Sequence, residues 1–195
     1  MGKLSTKEKI INASLELFSE KGYKATTIKE IAEKVGMKEL TVYRHFGKKE
    51  KILERINTMI TTPLPIIESY LENEAVYHLE QDLSKILTIM ERELNKNKQI
   101  IKFICREKID LPDKYLNGKI LVEYFDIMKQ KGKIKSSFEY ESLTLLFFSS
   151  ILTSFILKER FKNEKIAFLI ENDQYKETIV SLFTEALKSN NTVLK

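Results

Sequence analysis

The sequence predicts an all-α protein with a small helix-turn-helix domain at residues 1–48 and a larger helical domain at residues 49–195. Only 3 Pro and 6 Gly occur among 195 residues, so few residues interrupt helices. Apolar residues recur at helical spacing, and no strand-like alternation persists beyond a few residues. Residues 26–55 have the pattern of a short helix, a glycine turn, a second short helix and the start of a third.

The first helix is predicted from about Thr6 to Lys21. Ser5 and Glu8 have the spacing of a capping box, in which each side chain accepts a hydrogen bond from the backbone N–H of the other residue. Gly22, directly after Lys21, is a helix stop signal.

The second helix begins at Thr27, which repeats the capping-box spacing with Glu30. Gly36 ends this helix and permits a sharp turn. A third helix follows over about residues 38–45. Val42 and Phe46, four residues apart, are expected to anchor it to the core.

A fourth helix starts after Gly47, and Pro63 and Pro65 mark a break near its end. The remaining chain has six segments with a helical pattern. They are predicted at about 65–73, 76–96, 98–109, 113–131, 139–161 and 173–189.

The composition predicts a cytoplasmic protein. The N-terminus has no apolar signal-peptide region, and the single cysteine, Cys105, excludes a disulfide within the chain. The least charged stretch, residues 142–157, is shorter than the roughly 20 residues of a membrane span and contains six hydroxyl side chains. A buried helix is the better interpretation, and no membrane partner is expected.

The positive charge of the chain is concentrated in its first third. The net charge is +5, and residues 1–60 hold 13 Lys and Arg against 8 Asp and Glu, which already gives +5. Residues 61–195 hold 20 of each, which gives zero. A basic domain attracts phosphate, but a solvated charged surface has the same composition. Charge alone therefore does not decide the function.

The third helix carries side chains that seldom belong to a protein core. A helix with many exposed donors, supported by an apolar neighbour, is typical of proteins that read the major groove of DNA. Arg44 can pair with a guanine edge, and Thr41 can bond a base or contact a thymine methyl. The Thr27 hydroxyl lies beside backbone N–H groups at a helix N-terminus, which favours phosphate, although a capping role alone would also explain it. The exposed candidates on this helix are Lys38, Glu39, Thr41, Tyr43, Arg44 and His45.

Residues 8–55 resemble the N-terminal domain of the TetR (tetracycline repressor) family of transcriptional regulators. The resemblance is carried by ATTIKEIA, the glycine turn, TVYRHF and the KEKIL opening of the fourth helix. It implies a homodimer that binds double-stranded DNA at a palindromic operator, with the third helix in the major groove. It also implies phosphate contacts from Thr27 and Lys49, and base or phosphate contacts from the six candidates on the third helix.

Three positions depart from the family pattern. The family often has a hydroxyl residue where Lys38 stands, glycine where Leu40 stands, and serine or asparagine where Lys48 stands. Lys48 adds charge at the start of the fourth helix in place of a side-chain cap and is included among the DNA-binding candidates. Leu40 either blocks close approach of the backbone to DNA or packs against a thymine methyl. An operator preference therefore does not transfer from other members.

The resemblance further implies that the C-terminal domain binds a small effector and forms the dimer. Residues 139–161 and 173–189 are the candidate interface helices, with Val180, Phe183, Ala186 and Leu187 expected to face the partner. An ordinary intrachain core is the alternative. A cavity for a small hydrophobic effector is expected, and its lining candidates, each of which could instead be plain core, are Phe103, Tyr124, Phe125, Met128, Phe147 and Phe148.

The sequence contains no motif that predicts catalysis. It has two histidines, no glycine-rich phosphate loop, no nucleophile elbow and no metal-ligand cluster, so neither an enzyme nor a metal or cofactor is expected. The sequence therefore predicts a ligand-responsive repressor. The alternatives are an activator or architectural protein that shares the DNA-binding domain, and a helical protein-interaction module.

Overall fold

The computed structural model describes residues 4–59, 62–108, 118–135 and 138–188. Eleven α-helices and no strand occur within these ranges, so the all-α prediction is confirmed. The chain forms two compact units. Unit 1 holds the described residues up to 59 together with 97–108, and unit 2 holds all other described residues.

Unit 1 contains five helices, and both predicted capping boxes occur at their starts. Ser5 Oγ accepts from the Glu8 N–H at 3.3 Å, and the Ser5 N–H donates to the Glu8 carboxylate at 2.8 Å. Thr27 and Glu30 form the same pair, with distances of 3.2 and 2.8 Å. The helices are α1 (Thr6–Lys21), α2 (Ile28–Lys34), α3 (Glu39–Phe46), α4 (Lys49–Asn57) and α7 (Lys98–Glu107).

The core of unit 1 includes residues that follow residue 48 in the chain. Ile52 and Ile56 of α4 are fully buried in it, because their spacing of four places both on one face of the helix. Phe103 of α7 is also fully buried there, with its ring centroid 5.9 Å from that of Phe18. Both α4 and α7 are thus part of the compact N-terminal unit.

Unit 2 contains six helices and includes one that the sequence analysis did not predict. The additional helix is α10 (Lys165–Glu171), a single amphipathic pair of turns that buries Ala167 and Ile170. The others are α5 (Leu64–Asn73), α6 (Leu79–Lys96), α8 (Lys119–Gln130), α9 (Tyr140–Arg160) and α11 (Asp173–Lys188). These match five of the predicted segments to within a few residues, except that residues 113–117 and 189 lie outside the described ranges.

A buried carboxylate connects three elements of unit 2. Asp82 is fully buried and accepts hydrogen bonds from the hydroxyls of Tyr70 and Tyr124, both at 2.6 Å. It also accepts from the backbone N–H groups of Val76 and His78, at 3.2 and 3.1 Å. Because a buried charge is stable only when its lone pairs are satisfied, these four donors explain how Asp82 is accommodated in the core.

Helix α9 is, among the described residues, the one helix long and apolar enough to span a membrane by those two criteria. Such helices also occur in protein cores, and 39% of its most apolar window is buried in this fold. Its buried residues include Leu143, Phe147, Ile151 and Phe155, which repeat at helical spacing and form one inward face. On its other faces, Leu145 and Leu146 are exposed, whereas Phe148, Leu152 and Ile156 are half-buried.

Candidate nucleic-acid interface

The turn between α2 and α3 sets the direction of α3. Gly36 has φ +67°, a conformation that costs glycine little and other residues more. The backbone N–H groups of Gly36 and Met37 donate to the carbonyls of Glu33 and Ala32, at 3.0 and 2.9 Å. These bonds satisfy the last carbonyls of α2 and reverse the chain tightly.

A single side chain anchors the middle of α3. Val42 is fully buried in the core of unit 1, and Phe46, one turn later, is partly buried against the same core. The outer face of α3, defined here as Lys38, Glu39, Leu40, Tyr43, Arg44 and His45, is exposed at all six positions. Thr41 is half-buried beside it. The structure therefore places five of the six sequence-predicted α3 candidates on one accessible surface, with Thr41 at its edge.

Thr27 is an N-cap whose hydroxyl has partners within its own helix. Its Oγ accepts from the Glu30 N–H and lies 2.9 Å from the Glu30 carboxylate, to which it donates. The hydrogen bond from Lys21, with those from the Thr27 backbone and hydroxyl, lowers the pKa of Glu30 to about 2. Thr27 is exposed, so the capping role is confirmed and the phosphate contact stays a prediction.

The two lysines at the start of α4 have different surroundings. Lys49 Nζ donates to the carbonyls of Tyr23 and Thr26, at 2.8 and 2.7 Å, and lies 4.3 Å from the centroid of the Tyr23 ring. Lys48 is the exposed N-cap, and its side chain makes no capping hydrogen bond. Lys49 thus holds the segment before α2 against α4, while Lys48 extends into solvent, where a phosphate can approach it.

Tyr23 and its neighbours explain the position of α4. The ring of Tyr23 packs edge-on against Phe18 with centroids 5.2 Å apart, and its backbone N–H donates to the Glu107 carboxylate at 2.9 Å. Lys49 is bound to this anchored residue. The N-terminus of α4 is therefore fixed to the core of unit 1. Lys48, the N-cap of α4, follows the end of α3 by two residues and belongs to the same unit.

The structure separates the six residues predicted to line an effector cavity. Phe103 belongs to the core of unit 1, because α7 packs on α1, so it does not line a cavity within unit 2. Tyr124, Phe125, Met128 and Phe147 are buried in unit 2, and Phe148 is half-buried there. Rings of this group are in contact, with Tyr124 and Phe125 centroids 5.8 Å apart and those of Phe147 and Phe148 6.0 Å apart.

A small cavity of about 30 Å³ lies elsewhere in unit 2, between α6, α9, α10 and α11. Its polar margin includes the Ser154 and Tyr175 hydroxyls, which are 2.6 Å apart, and the Lys176–Glu91 ion pair at 3.0 Å. A space of this size holds one or two waters. No group of three His, Cys, Asp or Glu among the described residues could hold a metal ion.

Two of the residues expected to face a partner subunit face inward. Val180 is 4% exposed and Leu187 is fully buried, so neither can contact a second chain. Phe183 is half-buried and packs edge-on against Phe147 at 5.1 Å. The large apolar side chains that α9 and α11 leave exposed are instead Leu145, Leu146 and Leu182.

Comparison with known proteins supports the helix-turn-helix assignment. Residues 10–56 match the family model described as bacterial regulatory proteins, tetR family. The biofilm operon icaADBC HTH-type negative transcriptional regulator IcaR of Staphylococcus aureus is 30% identical over 194 residues, which cover 93% of this chain and 99% of that protein. The uncharacterized HTH-type transcriptional regulator YvkB of Bacillus subtilis is 28% identical over 193 residues, covering 95% and 98%.

Solved structures show the same overall fold. The crystal structure of the transcriptional regulator FadR from Bacillus subtilis in complex with stearoyl-CoA has a TM-score of 0.57 at 18% identity, and the match covers 91% of this chain and 97% of that chain. At this identity the likeness concerns the fold. The all-helical architecture, with an N-terminal helix-turn-helix and a helical C-terminal part, is common to both.

Proposed function

This chain belongs to the TetR family of bacterial regulatory proteins and is a DNA-binding transcriptional regulator rather than an enzyme, and we propose that it is a cytoplasmic repressor that binds a palindromic operator as a homodimer. A small hydrophobic effector bound in unit 2 releases it from DNA. The single observation that carries the proposal is the outer face of α3. Its six side chains are all exposed, and none belongs to the core of unit 1.

The DNA contacts are assigned by chemistry. Arg44, which is exposed, donates a two-pronged hydrogen bond to a guanine edge, and Tyr43 and His45 donate to phosphate. Lys48 and the N–H groups at the start of α4 bind phosphate, because Lys48 leaves them without a side-chain cap. Lys38, Glu39, Thr41 and Thr27 complete the proposed interface, whereas Lys49, bound to the carbonyls of Tyr23 and Thr26, is proposed to hold α4 in place.

The dimer is proposed to form through α9 and α11. Leu145, Leu146 and Leu182 are each more than half exposed, and a soluble protein seldom leaves such a group uncovered. In a two-fold dimer the two α3 helices lie about 34–36 Å apart and enter successive major grooves. This spacing matches one turn of DNA, so the operator is proposed to be palindromic.

The effector is proposed to be apolar because the aromatic side chains of unit 2 offer few polar partners. Tyr124, Phe125, Met128, Phe147 and Phe148 remain the proposed lining, and Phe103 is excluded by its place in unit 1. An effector that binds more tightly to an arrangement of the dimer with low affinity for DNA shifts the population toward that arrangement. The affinity for DNA therefore falls when the effector binds.

The function is tested by replacing the two central donors of α3. DNA duplexes enriched from a random library by the full-length protein serve as probes, and fluorescence anisotropy measures their affinity. Arg44→Ala with Tyr43→Ala is expected to weaken binding by at least about a hundredfold, since each base or phosphate donor contributes about 1–3 kcal/mol. Lys165→Ala, an exposed charge removed from unit 2, is the control. Undiminished binding by the double variant would show that α3 is not the DNA-binding surface.

Two further measurements separate repressor from its alternatives. A reporter driven by the promoter of the chain's own gene rises on deletion of that gene if the protein represses and falls if it activates. Native mass spectrometry of the purified protein detects a bound small apolar molecule if unit 2 is a sensor. A protein partner in its place would favour the interaction module.

A further inference from the structure

Leu40 is placed at the centre of the outer face of α3. Each residue turns an α-helix by about 100°, so residues two positions away from Val42 point almost opposite to it. Val42 is fully buried, and the two residues at that spacing are Leu40 and Arg44. Leu40 and Arg44 therefore project most directly away from unit 1, one helical turn apart.

The exposure of Leu40 is unusual within its unit. Its side chain is 59% exposed, and the other large hydrophobic side chains exposed in the described part of unit 1 are Leu4 and Tyr43. Leu4 lies before α1, and Tyr43 has a hydroxyl that bonds to water or phosphate. The neighbours of Leu40 one turn further along α3 are the exposed Tyr43 and Arg44, and the exposed, charged Lys38 and Glu39 precede it in the chain. An exposed leucine in such polar surroundings gains free energy only when another apolar group covers it.

The major groove of DNA offers one apolar group on the edges of its base pairs. Thymine presents its C5 methyl, whereas the other base edges present hydrogen-bond donors and acceptors and cytosine carries only a hydrogen at C5. Arg44, four residues after Leu40, has the fork that matches guanine. Side chains at this spacing start about 5–6 Å apart, and adjacent base pairs are stacked about 3.4 Å apart. The two side chains thus reach bases one or two base pairs apart.

We propose that Leu40 is a specificity-determining residue that packs against the C5 methyl of a thymine, one or two base pairs from the base read by Arg44. The inference rests on the proposed placement of α3 in the major groove. It decides against the alternative in which Leu40 keeps the backbone of α3 away from DNA, because a side chain that projects directly away from unit 1 enters the groove ahead of the helix. It also assigns operator choice to a residue outside the six polar candidates.

The experiment compares thymine with deoxyuridine, which lacks only that methyl group. Full-length protein, its Leu40→Ser variant and its Leu40→Met variant each select duplexes from a random library. Each thymine of the selected wild-type duplex is then replaced singly by deoxyuridine, and affinities are measured at one fixed salt concentration. Leu4→Ala is the matched control, since Leu4 is also an exposed leucine of unit 1.

One thymine in each half-site is expected to be sensitive. Deoxyuridine there weakens wild-type binding about fourfold, or about fifteenfold when both half-sites are changed, as follows from about 0.8 kcal/mol for one buried methyl-sized group. Leu40→Ser binds the two duplexes equally, and the sequences that it selects lose that thymine. Leu40→Met and Leu4→Ala keep the sensitivity, because each retains an apolar side chain at position 40.

Two results would overturn the inference, and they are distinguishable. If wild-type protein selects a defined sequence but no thymine is sensitive, or if Leu40→Ser is as sensitive as wild type, DNA reading stands and the role of Leu40 does not. If wild-type protein enriches no sequence at all, the proposed function fails and the inference fails with it.

Discussion

The two compact units expose opposite kinds of surface. Unit 1 buries most of its large apolar side chains, with Leu4, Leu40 and Tyr43 as exposed exceptions, and its outer face on α3 is polar and charged apart from Leu40. Unit 2 buries a carboxylate, Asp82, yet leaves Leu145, Leu146 and Leu182 exposed on α9 and α11. Because each exposed surface is complementary to what covers it, the contrast indicates a polyanion for unit 1 and a second apolar protein surface for unit 2.

The largest expected effect concerns the exposed leucines of unit 2. Leu145→Glu with Leu182→Glu places two charges in each half of the proposed apolar interface, where each would have to be desolvated. We expect the dimer dissociation constant to rise by about a hundredfold or more, as measured by sedimentation equilibrium.

The matched control adds the same two charges elsewhere on unit 2. Ser69→Glu with Ser84→Glu alters two exposed serines of α5 and α6 and is expected to leave the dimer intact. If the leucine variant dimerises as tightly as this control, the exposed leucines do not form the interface. The assignment of a second apolar protein surface to unit 2 would then be wrong.

The next effect concerns the interior of unit 2. Asp82→Ala leaves two tyrosine hydroxyls and two backbone N–H groups without their acceptor, and each unsatisfied buried group costs about 1–3 kcal/mol. We expect the free energy of unfolding to fall by about 3 kcal/mol or more in urea titrations followed by circular dichroism at one protein concentration. Asp126→Ala, at an exposed aspartate of α8, should change it by less than about 0.5 kcal/mol. Equal effects of the two variants would contradict the structural role of Asp82.

The paired lysines of α4 sharpen the assignment of unit 1. Lys48→Met removes an exposed phosphate ligand, so the slope of log affinity against log salt should become shallower by about 0.9 per half-site. Lys49→Met removes two charge-assisted hydrogen bonds to carbonyls and should lower the free energy of unfolding by about 1–2 kcal/mol with little change in that slope. A shallower slope for Lys49→Met would mean that Lys49 reaches phosphate in the complex.

A smaller effect distinguishes unit 2 at alkaline pH. Burial, with the hydrogen bond to Asp82, raises the pKa of Tyr124 above its ordinary value of 10.0. The stabilisation is complete below that value and is lost progressively as the pH rises above it toward the raised pKa of the folded state, because the unfolded chain ionises first. Urea midpoints should therefore fall between about pH 9 and about pH 11, and should fall less in Tyr124→Phe. An identical pH profile in that variant would exclude Tyr124 as the source.

The smallest effect distinguishes unit 1 at acid pH. The pKa of Glu30 is about 2 against an ordinary 4.5, so its contribution to stability is present above about 4.5 and is lost as the pH falls toward 2. Glu30→Gln retains the capping geometry without the charge. We expect this variant to unfold at lower urea concentration than wild type at neutral pH and to converge with it under acid conditions. A constant difference at every pH would assign the effect to packing.

The local part of the site could be predicted from the sequence. Thr27 with Glu30, the Gly36 turn and Val42 are governed by contacts within four residues, and such contacts depend on spacing along the chain. The exposure of the α3 candidates other than the half-buried Thr41 follows for the same reason. The α10 helix was missed because its seven residues follow a chain stretch without a capping signal, and its burial depends on neighbours distant in sequence.

The sequence by itself determined the family, the helix-turn-helix and the excess charge of unit 1. Capping and helical periodicity depend on residues close together in the chain, and charge depends on composition alone. Tertiary structure alone decided that Phe103 belongs to the core of unit 1, that Val180 and Leu187 face inward, and that Lys49 binds carbonyls. It also placed Asp82 among four donors from three elements. These features depend on which helix faces pack together, and a helical pattern marks a face as apolar without specifying what covers it.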